Sequence, residues 1–183
     1  IIQKPMFRQS IRDRRCLILA DAVIEGPKQQ KLTKPYLVYP RNGVRPFAMA
    51  GIWDEWADPK TGEIIRSFAI LTTVANTLLQ TIGHHRSPVL LPEENEHAWL
   101  DLSTPLADIT AMLGPFPSNA FNAYPISPEI RDPRVNGSDL LQPIGQRIHV
   151  EHEFMLHEEL ELFGMGESRA RNRRSGEQGA LFS

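Results

Sequence analysis

Glu25 closes the apolar run "AVIEG", which sets a carboxylate where a buried strand meets a loop. Partial loss of water there raises a carboxyl pKa and suits the group to exchange protons near neutral pH; a strand-end glutamate turned to solvent is the alternative. His84, His85 and Arg86 stand together in "IGHHRSPVLLPEE", just past Gly83 and just before Pro88. Imidazole titrates near neutral pH and a guanidinium grips phosphate through parallel hydrogen bonds, so the trio could serve acid–base work on a phosphate-bearing substrate. The same three residues also suit a solvated surface loop. Cys16 follows Arg15, which would lower its thiol pKa, but it opens the apolar stretch "CLILA", where a cysteine is inert core. His149, His152 and His157 of "HVEHEFMLHEE" do not fall on one helical face, so no metal site is expected, and nothing calls for a cofactor.

These side chains need a scaffold, and the chain punctuates itself clearly. "FRQSIRDRRCLILADAVIEG" is a basic amphipathic lead running into a strand, followed by the Lys-, Gln- and Pro-rich loop "GPKQQKLTKP". "YLVYP" and "FAMAGIWDEW", joined by "RNGVRP" with its Asn-Gly pair, read as a hairpin. "DPKTGE" is a turn into one long strand, "IIRSFAILTTV". The period then changes: "ANTLLQTIG" puts Leu78, Leu79 and Ile82 on one helical face and stops on a glycine. "SPVLL" is a short buried strand, "PEENEHAWLD" a helix burying Trp99 and Leu100, and "STPLADITAMLG" a helix capped by Ser103 or Thr104 with Pro105 in its first turn. "NAFNAYPISPEIRDPRVNGSDLLQPI" reads as a strand and a pinned loop. Strands with short turns and scattered helices predict an α+β fold with mainly antiparallel pairing.

Totals narrow the function classes. A formal net charge of -2 and a pI near 6.3 leave no global bias toward nucleic acid, so any such surface must come from local clusters of Arg and Lys. A single cysteine excludes an internal disulfide and fits a reducing, cytoplasmic setting. No apolar run reaches the roughly 20 residues of a membrane span, and "IIQKPMFRQS" has no signal-peptide pattern. The chain divides into a domain over residues 1–150 and a tail over 151–183, the tail beginning as an acidic amphipathic helix and ending in the polar, basic "ESRARNRRSGEQG".

The order of the blocks says more than any one of them. "FRQSIRDRRCLILADAVIEG", "KPYLVY", "PFAMAGIWDEW", "AILTTVAN", "HHRSPVLL" with "AWLD", and "YPISPEI" with "LLQPI" resemble, in register over about residues 3–145, the SOS response-associated peptidase (SRAP) family. The resemblance implies a fold of curved, mainly antiparallel, barrel-like sheets with a few short helices, and a groove for single-stranded DNA and for duplex ends at single-strand junctions. It implies an amino-terminal cysteine, exposed by the protein's own removal of the initiator Met, which captures the ring-opened aldehyde of an abasic site as a thiazolidine. Glu25 takes the place of the family's glutamate and His84 that of its histidine, both catalytic. Arg86, Thr72 and Thr73 fall in blocks that contact DNA. The nucleophilic cysteine and an Asn-Ala-Arg block lie upstream of "KPMFR" in the family and are not among these residues, and Cys16 matches a strand cysteine instead. Val23, Ile24 and Gly26 replace aromatic neighbours of the glutamate, and Ser87 replaces a Met, as in a divergent, phage-related member. A noncatalytic single-stranded DNA-binding module or a structural phage-associated protein are the alternatives. In this reading the protein is bacterial, cytoplasmic and nucleoid-associated. Independently, Gln178, Leu181 and Phe182 in "EQGALFS" resemble the short motif by which bacterial replication proteins dock on the sliding clamp.

Overall fold

A computed structural model describes residues 1–30 and 32–150 of the chain; the acidic helix and the clamp-like motif expected in the tail lie outside them. Residues Ile1–Ile148 form one compact unit. Its nine strands are β1 (Arg15–Ala20), β2 (Val23–Glu25), β3 (Tyr36–Pro40), β4 (Phe47–Ala57), β5 (Ile64–Ile70), β6 (Thr72–Val74), β7 (Arg86–Pro88), β8 (Leu90–Leu91) and β9 (Phe121–Pro125). Four short helices accompany them: α1 (Ser10–Asp13), α2 (Thr77–Thr81), α3 (Glu93–Leu100) and α4 (Leu106–Ala111). Every pairing is antiparallel, so the α+β class stands.

The strands make three open sheets, β1-β4-β5 with β8 also on β4, β2-β3-β9, and β6-β7. The barrel-like closure expected from the resemblance is therefore not what these residues form: all seven residues of β5 are exposed, and it pairs with β4 alone. The first half of β4 is buried and the second half projects with β5 as a hairpin about the "DPKTGE" turn.

The hairpin expected between "YLVYP" and "FAMAGIWDEW" does not exist. β3 lies between β2 and β9, whereas β4 joins the other sheet. Residues 41–46 are too long for the two-residue turn that an Asn-Gly pair favours, and Asn42 instead accepts the Val44 N–H, 3.1 Å away, within a loop that carries the chain across. The long strand "IIRSFAILTTV" and the strand "SPVLL" are each interrupted, at Leu71 and Val89, for one reason. At Ala50 the free edge of β4 passes from β5 to β8: the Ala50 N–H donates to the Val89 carbonyl, the Leu71 N–H to the Ala50 carbonyl, and the Val89 N–H to the Leu71 carbonyl, each at 2.9 Å. This three-way junction turns β6 and β7 away from β4 as a separate ribbon.

The two larger of three cores among the described residues join the sheets to the helices. Ile11, Ala50, Ile52, Leu71, Val89, Leu91, Trp99 and Ile109 pack under the β1-β4 face. Val38, Leu78, Leu79, Ile82, Phe116, Phe121 and Ala123 seat α2 on the β3-β9 face. Leu100, expected in the core, is 45% exposed, because the end of α3 turns only Trp99 inward. The α4 cap also differs: Pro105 occupies the N-cap position, while Ser103 gives both its N–H and its hydroxyl to Asp101.

Asn76 caps α2 from a buried position, accepting the Leu79 N–H and donating to the Phe116 carbonyl, both at 3.0 Å. Replacing it with Ala removes a cap and strands a buried carbonyl, at a cost of about 2–3 kcal/mol. Asn76→Ser keeps a capping oxygen and loses the amide donor to Phe116, so urea denaturation should rank Ser between Asn and Ala.

Candidate acid–base site

Glu25 is the last residue of β2, and His84 follows the α2 terminus. Gly83 takes a left-handed φ of 79°, open to glycine at little cost, and the His84 N–H returns to the Leu79 carbonyl at 2.9 Å. That reversal aims the imidazole back at the β2 loop. His84 Nε2 lies 3.2 Å from Glu25 Oε2, with the two side chains 20% and 25% exposed. Glu25 is thus mostly buried rather than turned to water.

The other ring nitrogen defines the tautomer. His84 Nδ1 is 2.7 Å from the Gly26 carbonyl, which can only accept, so Nδ1 carries a proton. Nε2 then faces Glu25 Oε2, and a proton can pass between imidazole and carboxyl along that line. Burial pushes the Glu25 carboxyl above its usual range, and the attraction of His84 pulls it partly back. A proton poised between two such groups is a general acid–base pair.

The two loops are latched by main chain. The Lys28 N–H donates to the Gly83 carbonyl at 3.1 Å, and Gly83 leaves room for Pro27, whose Cβ would lie 3.3 Å from any added Cβ. Beside the pair, the exposed Arg86 guanidinium donates from Nε to Thr72 Oγ1 at 2.7 Å and from Nη2 to the Thr72 carbonyl at 3.0 Å. Thr72 therefore positions Arg86, a role the sequence reading did not anticipate. Thr73 pairs with Ser87 across the same β6-β7 ribbon, one position along from the Val74–Arg86 pair. Gly26, whose carbonyl sets the tautomer, was also not singled out; its place beside Glu25 was the available signal.

Cys16 is half-buried, burial holds its thiol above the usual value, and its Sγ would lie 2.9 Å from a Cβ at Gly51. It is part of the β1-β4 packing. Gln178, Leu181 and Phe182 lie outside the described residues. Among the described residues no group of three or more His, Cys, Asp or Glu is placed to hold a metal ion, and no helix is long and apolar enough to cross a membrane.

Residues 1–133 match the family model described as SOS response associated peptidase (SRAP), and the chain belongs to that family. It is 31% identical over 141 residues to the abasic site processing protein YoqW of Bacillus subtilis, with the alignment covering 76% of this chain and 62% of the relative. It is 30% identical over 153 residues to the chicken abasic site processing protein HMCES, covering 73% and 45%. A crystal structure of a protein from Bacteroides thetaiotaomicron superposes with a TM-score of 0.72 at 34% identity, covering 78% of this chain and 62% of that one. The chain thus spans less than two thirds of the length of these relatives.

Proposed function

We propose that the chain supplies the acid–base pair and the backbone anchor of a protein that processes abasic sites in single-stranded DNA. The carrying observation is the 3.2 Å approach of His84 Nε2 to Glu25 Oε2, with the imidazole held in orientation by the Gly26 carbonyl and Arg86 two residues on. The names of the relatives support the substrate class.

Arg86 holds a phosphodiester, which brings the abasic sugar to the pair. Glu25 takes the proton of the anomeric hydroxyl while His84 gives one to the ring oxygen, and the sugar opens to its aldehyde. An amino-terminal amine attacks that carbon, the carbinolamine loses water as Glu25 and His84 return the proton, and an imine forms. Addition of the neighbouring thiol to the imine carbon closes a thiazolidine, with the amine nitrogen taking up the proton. Cys16 does not serve as this nucleophile, given its packed position and unfavourable thiol pKa. The reaction therefore needs an amino-terminal cysteine beyond these 183 residues, and the self-processing peptidase step belongs to the same terminus.

The position of Cys16 also favours a second reading, in which the chain by itself is a noncatalytic module that binds single-stranded DNA. One experiment separates them. Oligonucleotides with and without a single abasic site are incubated with the chain, and with the chain preceded by an amino-terminal segment bearing cysteine, then resolved on a native gel for binding and on a denaturing gel for covalent capture. The acid–base reading expects a covalent band in the second case. Binding to plain and abasic strands alike, with no covalent band in either case, would leave only the module.

A further inference from the structure

Arg86 is not alone on its rim. The bonds from Lys28 N–H to the Gly83 carbonyl and from His84 Nδ1 to the Gly26 carbonyl hold residues 26–28 against residues 83–85. Lys28, His85 and Arg86 are all exposed, and the His85 ring stands 5.3 Å from that of His84. Among the described residues neither Lys28 nor Arg86 has a carboxylate within ion-pair distance, and the Glu25 carboxylate is taken by His84. The protonated form of His85 is disfavoured by loss of water and then by Lys28, His84 and Arg86 in turn. Positive groups gathered from two loops, with no counter-charge of their own, are arranged for an anion supplied from outside.

We propose that Lys28, His85 and Arg86 together form a phosphodiester-binding rim beside the Glu25–His84 pair, and that His85 makes its grip depend on pH. The proposal rests on the reading of the chain as a single-stranded DNA binder and deepens it. It gives His85, which the sequence presents as a neighbour of the functional residues, a function of its own. A phosphate on the rim provides the negative charge that His85 lacks in the free protein. Binding DNA therefore takes up a proton, and affinity rises as pH falls through the imidazole range.

Fluorescence anisotropy of a short unmodified single strand, titrated with the full chain over salt and from about pH 8 to about pH 5.5, tests this. Lys28→Ala should reduce the slope of log affinity against log salt by about 0.7 and weaken binding about fivefold at 0.1 M salt. The unchanged chain should bind about fivefold more tightly at the acidic end, His85→Gln should flatten that rise, and His85→Lys should bind at pH 8 as the unchanged chain does at the acidic end. All three positions are exposed, so thermal melting should be unchanged. If the chain binds but Lys28→Ala and His85→Gln match it in slope and pH profile, the rim is overturned while the DNA reading stands. If the chain does not bind at low salt, both fall.

Discussion

Glu25→Gln, in the chain preceded by an amino-terminal segment bearing cysteine, should slow capture of an abasic oligonucleotide by about 10²–10⁴-fold while leaving its affinity for plain single-stranded DNA nearly unchanged. Glutamine keeps the shape and can donate to a neutral His84 Nε2, but it carries no proton to exchange. The same variant should melt at a higher temperature near neutral pH. Burial raises the Glu25 carboxyl pKa, and His84 opposes this only in part. The folded state therefore holds that proton more tightly than the unfolded chain does. The group favours folding fully below its ordinary value of 4.5, and that contribution is lost as pH rises through the elevated folded value. At neutral pH a desolvated carboxylate is a liability that glutamine removes. Slower capture with unchanged or raised melting marks a catalytic role; a variant that reacts at full rate, or melts lower, shows that Glu25 is structural.

Trp99→Ala should cost about 3–5 kcal/mol, a large part of the about 5–15 kcal/mol that holds a domain together. Trp99 is fully buried among Ile11, Ile52, Leu71, Val89 and Ile109. Its Nε1–H donates to the Cys16 carbonyl at 3.0 Å, and its own carbonyl accepts from Arg15 Nε at 2.5 Å. Arg15 goes on to bond the carbonyls of Ile11, Arg12 and Asp101, so α1, β1 and the end of α3 meet at one guanidinium. Truncating the indole removes the apolar floor beneath that network and takes one donor from the Cys16 carbonyl. The melting temperature should drop by about 10 °C or more. Trp99→Phe keeps most of the packing and loses the hydrogen bond, and should lie between; equal melting of Ala and Trp would contradict the packing argument.

Local signals in the sequence were legible where the partner of a residue lies nearby. The β4-β5 turn, the Thr77–Thr81 helix with buried Leu78, Leu79 and the following Ile82, and the inward Trp99 all follow from short-range pattern. The Asn-Gly pair misled because turn chemistry describes a bend without saying which sheet receives the next strand, and β3 and β4 each have other partners. The breaks at Leu71 and Val89 depend on one peptide of β4, invisible to any window along the chain. For the site, residue type alone left Glu25 and His84 as two candidates among surface alternatives. Only the order of blocks suggested that they belong together, and only the fold sets them 3.2 Å apart. The partnership of Arg86 with Thr72 depends on the β6-β7 register, which is fixed at the same remote junction.

The latch between the two loops is made of peptide groups and a ring nitrogen, and this bears on how the site can drift. The Lys28 N–H to Gly83 carbonyl bond does not read the identity of the side chains it joins, and neither does the acceptor at Gly26. Gly83, with its left-handed φ, is constrained, and so is Gly26, where an added Cβ would come within 3.1 Å of the Lys34 carbonyl. The exposed positions between and beside them are not. Lineages can therefore exchange the residues at 28 and 85, tuning charge and preferred acidity of the surroundings, while the distance between the two proton-exchanging groups is inherited unchanged.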